Sequence, residues 1–150
     1  MRGVIQRVSM ASVKCSSGHR EEIKKGILIF LGIEEADQQE DIEWLSGKIS
    51  RLRIFDDHAG VMNVSISDIG GEIMVISQFT LHASTKKGNR PSYIKAAPAE
   101  KSEPLYNRFI AQIEKDSKIK IKQGVFGDEM EVMLINDGPV TILIDTRNKE

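Results

Sequence analysis

Ile27-Leu28-Ile29-Phe30-Leu31 decides how the chain is read. The run is apolar on both faces, as expected of a strand buried between two layers. Upstream, Met1 to Cys15 reads as a strand with Val4, Val8 and Val13 among polar neighbours, and His19 to Lys24 returns antiparallel after Ser17-Gly18. Downstream the period changes. Ile42, Leu45, Ile49 and Leu52 fall at helical spacing behind Asp37, Glu40 and Asp41, which predicts a helix from about Gln38 to Arg53. Turns at Asp56–Gly60 and Asp68–Gly71 flank a short strand at Val61 to Ser65, and Glu72 to Leu81 reads as a further strand. Pro98 opens a second helix carrying Leu105, Phe109 and Ile113, with Pro104 pointing to an irregular or late start. Strands at Lys120 to Val125, Met130 to Ile135 and Val140 to Ile144 complete the sheet system. The order of elements predicts one α/β domain over residues 1–150, in which sheets form most of the core and two main helices cover them.

The 150 residues are 40% hydrophobic and 29% charged, values that exclude a disordered chain. No apolar run approaches the roughly 20 residues that span a bilayer, and neither a signal peptide nor a membrane partner is expected. A lone cysteine, Cys15, excludes an intrachain disulfide and suits a reducing cytoplasm; packing is its expected role. The net charge of -1 gives no overall attraction for nucleic acid. Its distribution is uneven, because Ile73 through Ala99 contains no Asp or Glu while Lys86, Lys87, Arg90 and Lys95 are cationic. That stretch is either a solvated lysine loop or a phosphate-binding face.

Two polar islands carry the chemistry. The first is Ser77-Gln78-Phe79-Thr80-Leu81. Strand alternation puts Ser77, Phe79 and Leu81 on one face and Gln78 with Thr80 on the other. A strand end of this kind either aims backbone N–H groups at a ligand or simply caps itself. A hydroxyl nucleophile would need a base, and His82, the histidine closest in sequence, is expected to be exposed. No Ser-His-Asp order, zinc-ligand spacing, P-loop or dinucleotide fingerprint is present, so neither metal nor cofactor is expected. The second island, Asn136-Asp137-Gly138-Pro139-Val140-Thr141, reads as a hairpin turn between two strands. Pro139 sits poorly there because it removes a ladder donor. Phe126-Gly127 reads as a packed turn near the first island, and Trp44 as helix packing.

These islands, together with Gly88-Asn89-Arg90-Pro91-Ser92-Tyr93 between them, resemble the D-aminoacyl-tRNA deacylases. The likeness extends from Met1-Arg2-Gly3-Val4-Ile5-Gln6-Arg7-Val8 to Leu143-Ile144-Asp145-Thr146, so it covers nearly the whole chain. Tyr93 departs from the phenylalanine commoner in the family. The resemblance implies a barrel-like core and a homodimer acting on aminoacyl-tRNA, with no DNA partner. Ser77, Gln78, Phe79 and Thr80 would then form the catalytic pocket for the aminoacylated 3′ adenosine. The family's suspected nucleophile falls on Thr80, but a positioning role is the expectation here, because aminoacyl esters are already labile. Gly138 and Pro139, in a cis peptide, would enter the other subunit's site and reject L-aminoacyl groups while admitting D-aminoacyl groups and glycine, with Asn136 counted beside them in this substrate-binding chiral gate. Lys86, Lys87 and Arg90 are the candidate tRNA contacts. The rival readings are an editing deacylase of L-seryl-tRNA and a non-catalytic RNA-binding protein.

Overall fold

The computed structural model describes residues 1–149. Its central element is β1 (Arg2–Cys15), which has neighbours on both edges. Along one edge lie β2 (Arg20–Ile23), opposite Ala11 to Lys14, and β3 (Gly26–Gly32), opposite Arg2 to Val8. The other edge is covered along its whole length by a 16-residue strand at the end of the chain, Met130–Asp145. Between these elements come α1 (Gln39–Ser50), a small hairpin of β4 (Phe55–Asp56) and β5 (Met62–Val64), β6 (Glu72–Ser77), α2 (Ala99–Ser117) and β7 (Ile121–Gln123); Met130–Asp145 is β8. β6 joins β3 in parallel and β7 joins β6 in parallel, while β1 is antiparallel to all its partners. The mixed sheet curls until β7 returns toward β2. Lys122 pairs with Glu21 at 2.9 Å, and the His19 ring meets the Gln123 carbonyl at 3.0 Å, so the barrel nearly closes.

The two-faced apolar run at 27–31 explains the layering. Ile27, Ile29 and Leu31 face the helices together with Ile73 and Val75, where they meet Ile42, Leu45 and Ile49 of α1 and Leu105, Tyr106, Phe109 and Ile113 of α2. Leu28 points the other way, into the hollow of the curled sheet, with Val8, Ala11, Val13, Cys15, Met74 and Ile76. Truncating a buried residue such as Phe109 to alanine costs about 3–5 kcal/mol. Trp44 packs partly buried against the helix-side core, with the Lys149 ammonium 4.6 Å from its ring centre.

Several expectations need correction. α1 is shorter than the periodicity suggests, starting where the Asp41 carboxylate accepts the Gln38 N–H at 2.9 Å. α2 is regular from Ala99 despite Pro104, because both Pro104 and Glu100, whose carbonyl loses its partner, face solvent. β6 stops at Ser77, and Phe79–His82 forms a single 3-10 turn instead of more strand. The second island is not a hairpin. Both halves of β8 run antiparallel to β1, so the chain never reverses; the register passes from Thr141↔Gln6 to Asn136↔Val8 and leaves Asp137, Gly138, Pro139 and Val140 bulging opposite Arg7. Pro139 has no N–H for the ladder, and the Asn136 amide replaces the missing bonds by donating to the carbonyls of Arg7 (2.9 Å) and Val140 (3.0 Å).

Tyr106 ties α2 to the strand that delivers the first island. Its buried hydroxyl donates to the Val75 carbonyl at 2.9 Å, and burial pushes its pKa well up. Tyr106→Phe keeps the ring and removes only that bond, so chemical denaturation should show a loss of about 1 kcal/mol with an unchanged denaturant slope.

Candidate functional site

The first island owes its position to a close approach. After β6 pairs Ser77 with Leu31, the Gln78 N–H still bonds the Leu31 carbonyl at 2.8 Å. The chain then folds as the Phe79–His82 turn over Gly32. A Cβ on Gly32 would stand 2.9 Å from the Leu81 Cβ and 3.0 Å from the Gln78 carbonyl oxygen, so the turn seats there because residue 32 has no side chain. Arg2 secures the far end: its guanidinium donates to the Leu81 carbonyl at 2.9 Å and to Asp145 at 2.7 Å. Burial alone would raise the Asp145 pKa, but bonds from the Arg147 N–H and from Arg2 outweigh it and leave the carboxyl below its usual value.

Ser77, Gln78 and Phe79 line a cleft of about 420 Å³, walled by Leu31, Ile33 and Ile76 from the sheet and by Phe126, Gly127 and Asp128 from the loop before β8. Thr80 lies just outside it, in a neighbouring groove with Arg2 and Leu143, yet its hydroxyl accepts a 2.6 Å bond from the Gln78 amide. Gln78 and Thr80 therefore act as a pair, through the turn and not through strand alternation. Among the described residues, no carboxylate or imidazole is hydrogen-bonded to Thr80. His82, expected to be exposed, is instead 1% exposed beneath the turn, and neither ring nitrogen has a partner in good hydrogen-bond geometry. Burial holds its pKa below the usual value; the nearby Gly32 backbone opposes that shift and Arg2 adds to it. Neither ring nitrogen is hydrogen-bonded to the Thr80 hydroxyl, so His82 is not placed to act as its base. The first N–H groups of a helical turn have no acceptor within it, which leaves those of Phe79 and Thr80 as donors for a ligand.

The second island stands apart from this cleft within one chain. Gly138 and Pro139 are exposed and joined by a cis peptide bond. The base of the bulge is held by Arg7, which is 7% exposed and donates to the carbonyls of Ile54 (2.7 Å) and Asp137 (3.2 Å). Lys86, Lys87 and Arg90 are exposed in a protruding loop closed by reciprocal Ser84–Ser92 backbone bonds of 2.8 and 2.9 Å. They do not line the cleft. Among the described residues, no cluster of three His, Cys, Asp or Glu could hold a metal.

Sequence reasoning missed Asp128. Its carboxylate binds the Ser16 hydroxyl, the Ser17 hydroxyl (2.6 Å) and N–H (3.0 Å), and the Glu129 N–H (2.9 Å), thereby pinning the loop that carries Phe126 and Gly127. Phe126 both packs on Tyr106, 5.6 Å between ring centres, and lines the cleft. Only the exposed Ser16-Ser17-Gly18 turn hinted at such a partner. The Ser16 and Ser17 bonds hold the Asp128 pKa down, from 3.8 to about 2. A depressed carboxyl pKa contributes stability that is complete above the unfolded value near 3.8 and is lost as pH falls toward about 2. NMR titration should find Asp128 titrating near about 2 and moving toward 3.8 in the Ser16→Ala, Ser17→Ala double variant; an unmoved titration would refute the clasp.

Comparison with known proteins matches residues 4–145 to the profile of a family described as D-Tyr-tRNA(Tyr) deacylase. A Bacteroides thetaiotaomicron protein named D-aminoacyl-tRNA deacylase is 62% identical over 150 residues, covering 100% of both chains. A Flavobacterium johnsoniae protein of the same name is 56% identical over the same span. Among solved structures, one named "c-Myc DNA Unwinding Element Binding Protein" superposes with a TM-score of 0.89 at 41% identity, over 97% of this chain and 99% of that one. Another, described as a probable eukaryotic D-amino acid tRNA deacylase, gives 0.81 at 13% identity over 95% and 97%, a likeness of fold.

Proposed function

The chain belongs to the D-Tyr-tRNA(Tyr) deacylase family, and on that premise we propose that it hydrolyses the ester joining a D-amino acid, or misattached glycine, to tRNA. The observation that carries the reading is the cleft at the exit of β6, bounded by Ser77, Gln78 and Phe79 and floored by apolar side chains. It takes the aminoacylated 3′ adenosine. Water attacks the ester carbonyl, the carbonyl oxygen gathers negative charge, and the N–H groups of Phe79 and Thr80 receive it. The tetrahedral intermediate then collapses with the tRNA 3′ oxygen as leaving group, giving free D-amino acid and tRNA. Aminoacyl esters are already labile, so positioning and oxyanion stabilisation suffice without a covalent enzyme intermediate. Thr80 positions Gln78 and the turn, in keeping with the 2.6 Å bond between them and the lack of a base at its hydroxyl.

Gly138 and Pro139 act in the site of a second copy, where a rigid, exposed tip admits D-aminoacyl groups and excludes L-aminoacyl groups by occupying their side-chain position. Two features support a homodimer. The tip does not line its own chain's cleft. β8, paired only with β1, also exposes Met133 (62%), Ile135 (55%) and Leu143 (66%), a long edge strand with an apolar face that a second copy can cover. Lys86, Lys87 and Arg90 contact tRNA phosphates. The reaction is cytoplasmic, where aminoacyl-tRNA is found; no helix among the described residues is long and apolar enough to cross a membrane.

The second reading, nucleic-acid binding without hydrolysis, draws on the same basic loop and on the 41% identical structure, whose name is that of a DNA-element binding protein. Matched D-tyrosyl-tRNA and L-tyrosyl-tRNA separate the two. The purified protein should release tyrosine rapidly from the D-ester and leave the L-ester at its spontaneous rate. Survival of both esters while tRNA still binds would transfer the function to the second reading.

A further inference from the structure

Beside the cleft mouth, two aromatic rings are left open to solvent. Phe79 is 57% exposed and Tyr93 39%, and they meet edge to face with centres 5.1 Å apart at 73°. Ile94, next in the chain, is 90% exposed. Adjoining exposed apolar groups mark interaction sites, and here Tyr93 stands on Phe79 with Ile94 next to it in the chain. Their setting is fixed, not loose. The Ser84–Ser92 bonds close the basic loop immediately before Tyr93, the Ala96 N–H bonds the Tyr93 carbonyl at 2.9 Å, and the Ala97 N–H bonds the Ile33 carbonyl at 3.0 Å. Tyr93 is thus held beside the end of β3 and against Phe79, a residue that also lines the cleft.

The charge around this patch selects its occupant. Lys86, Lys87 and Arg90 precede Tyr93 in the chain and Lys95 follows Ile94, in a stretch with no acidic residue from Ile73 through Ala99. Exposed rings beside a row of cations suit single-stranded nucleic acid, whose bases stack on aromatic faces while its phosphates meet lysine and arginine. The cations call for an anionic occupant, and a second copy meeting this patch through its own basic loop would bring like charge.

We infer that Phe79, Tyr93 and Ile94 form a stacking platform for the unpaired nucleotides adjoining the esterified adenosine of tRNA. The inference rests on the deacylase reading of the cleft and extends it. The adenosine enters the cleft, the next base lies on the open ring surface of the aromatic pair, and Lys86, Lys87, Arg90 and Lys95 follow the backbone outward. Tyr93 is a specificity residue for the polynucleotide, as distinct from the aminoacyl group. Stacking tolerates any base, so the platform recognises a single strand as such.

The test compares two substrates, D-tyrosyl-tRNA and D-tyrosyl-adenosine, the second lacking every nucleotide the platform would hold. Tyr93→Leu keeps apolar bulk against Phe79 but removes the stacking face, and Tyr93→Phe keeps it. The quantity read is kcat/KM for the tRNA divided by kcat/KM for the adenosine ester. In Tyr93→Leu this ratio should fall roughly 5- to 100-fold, mainly through KM for tRNA, and in Tyr93→Phe it should hold. An unchanged ratio overturns the platform, including the case in which both substrates suffer equally because Tyr93 merely braces Phe79. A binding arm is independent of catalysis. A short single-stranded RNA ending in CCA, with fluorescent 2-aminopurine replacing the middle base, should be quenched by the wild type and by Tyr93→Phe but not by Tyr93→Leu. If neither ester is hydrolysed by the wild type, the deacylase reading fails, and the quenching alone decides the platform. Loss of self-association in Tyr93→Leu, with quenching retained, would assign the patch to a second copy and overturn the inference.

Discussion

β1 is hydrogen-bonded on both edges, and the places of both polar islands follow from that constraint. On one edge it fixes β3, which fixes β6 in parallel and so delivers Ser77 to the mouth of the cleft. On the other it fixes β8, whose ladder must open opposite Arg7 because Pro139 cannot donate. Two arginines of this strand clamp the islands directly. Arg2 holds the Leu81 carbonyl of the first, and Arg7 holds the Asp137 carbonyl of the second. The strand's own start is fixed too, since the Met1 amino group bonds Asp37 at 2.5 Å and the Thr146 hydroxyl at 2.9 Å. A shift of β1 by one residue would send every inward side chain to the opposite face and separate the clamps from their targets.

Both islands sit where regular pairing stops, and the proposed chemistry would use what pairing leaves over. At the first, the 3-10 turn replaces ladder bonds and frees N–H groups near an apolar cleft. At the second, the bulge turns a glycine–proline tip outward while the Asn136 amide keeps the strand continuous. Rigidity at each place comes from absent or small groups as much as from bonds. A side chain on Gly32 would collide with the turn, and a Cβ on Gly138 would come within 3.0 Å of the Arg7 guanidinium. Overpacking of that kind typically costs about 1–3 kcal/mol and displaces backbone, which at these two places means displacing the proposed site.

Much of the fold was legible because burial leaves a periodic trace. The run Ile27 to Leu31 announced a strand with two buried faces, and Leu28 does point away from its neighbours Ile27 and Ile29 into a different core. The spacing of Ile42, Leu45 and Ile49 gave α1 its inward face. What escaped was set by pairs distant in the chain. Asn136–Val140 has the composition of a hairpin, and only the Arg7 guanidinium and the Asn136 amide make it a bulge. His82 lies within two residues of an exposed loop, and only the missing side chain at Gly32 lets the turn bury it. Strand alternation placed Gln78 and Thr80 together for the wrong reason, since the strand had already ended. Asp128 left only the hint of the exposed Ser16-Ser17-Gly18 turn, because its partners there lie more than a hundred residues earlier.

The central claim is that the site is shared between two copies, with the cleft from one and the Gly138-Pro139 tip from the other. Subunit mixing tests it most directly. A variant carrying Gly138→Ala and Pro139→Ala should lose the exclusion and hydrolyse L-tyrosyl-tRNA. It is then exchanged with an excess of Gln78→Ala subunits, whose own cleft is impaired but whose tip is intact. The account predicts that L-tyrosyl-tRNA hydrolysis falls as mixed dimers form, while D-tyrosyl-tRNA hydrolysis persists, because each sound cleft now faces a sound tip. Undiminished L-ester hydrolysis, with mass spectrometry showing that the subunits have exchanged, would contradict it.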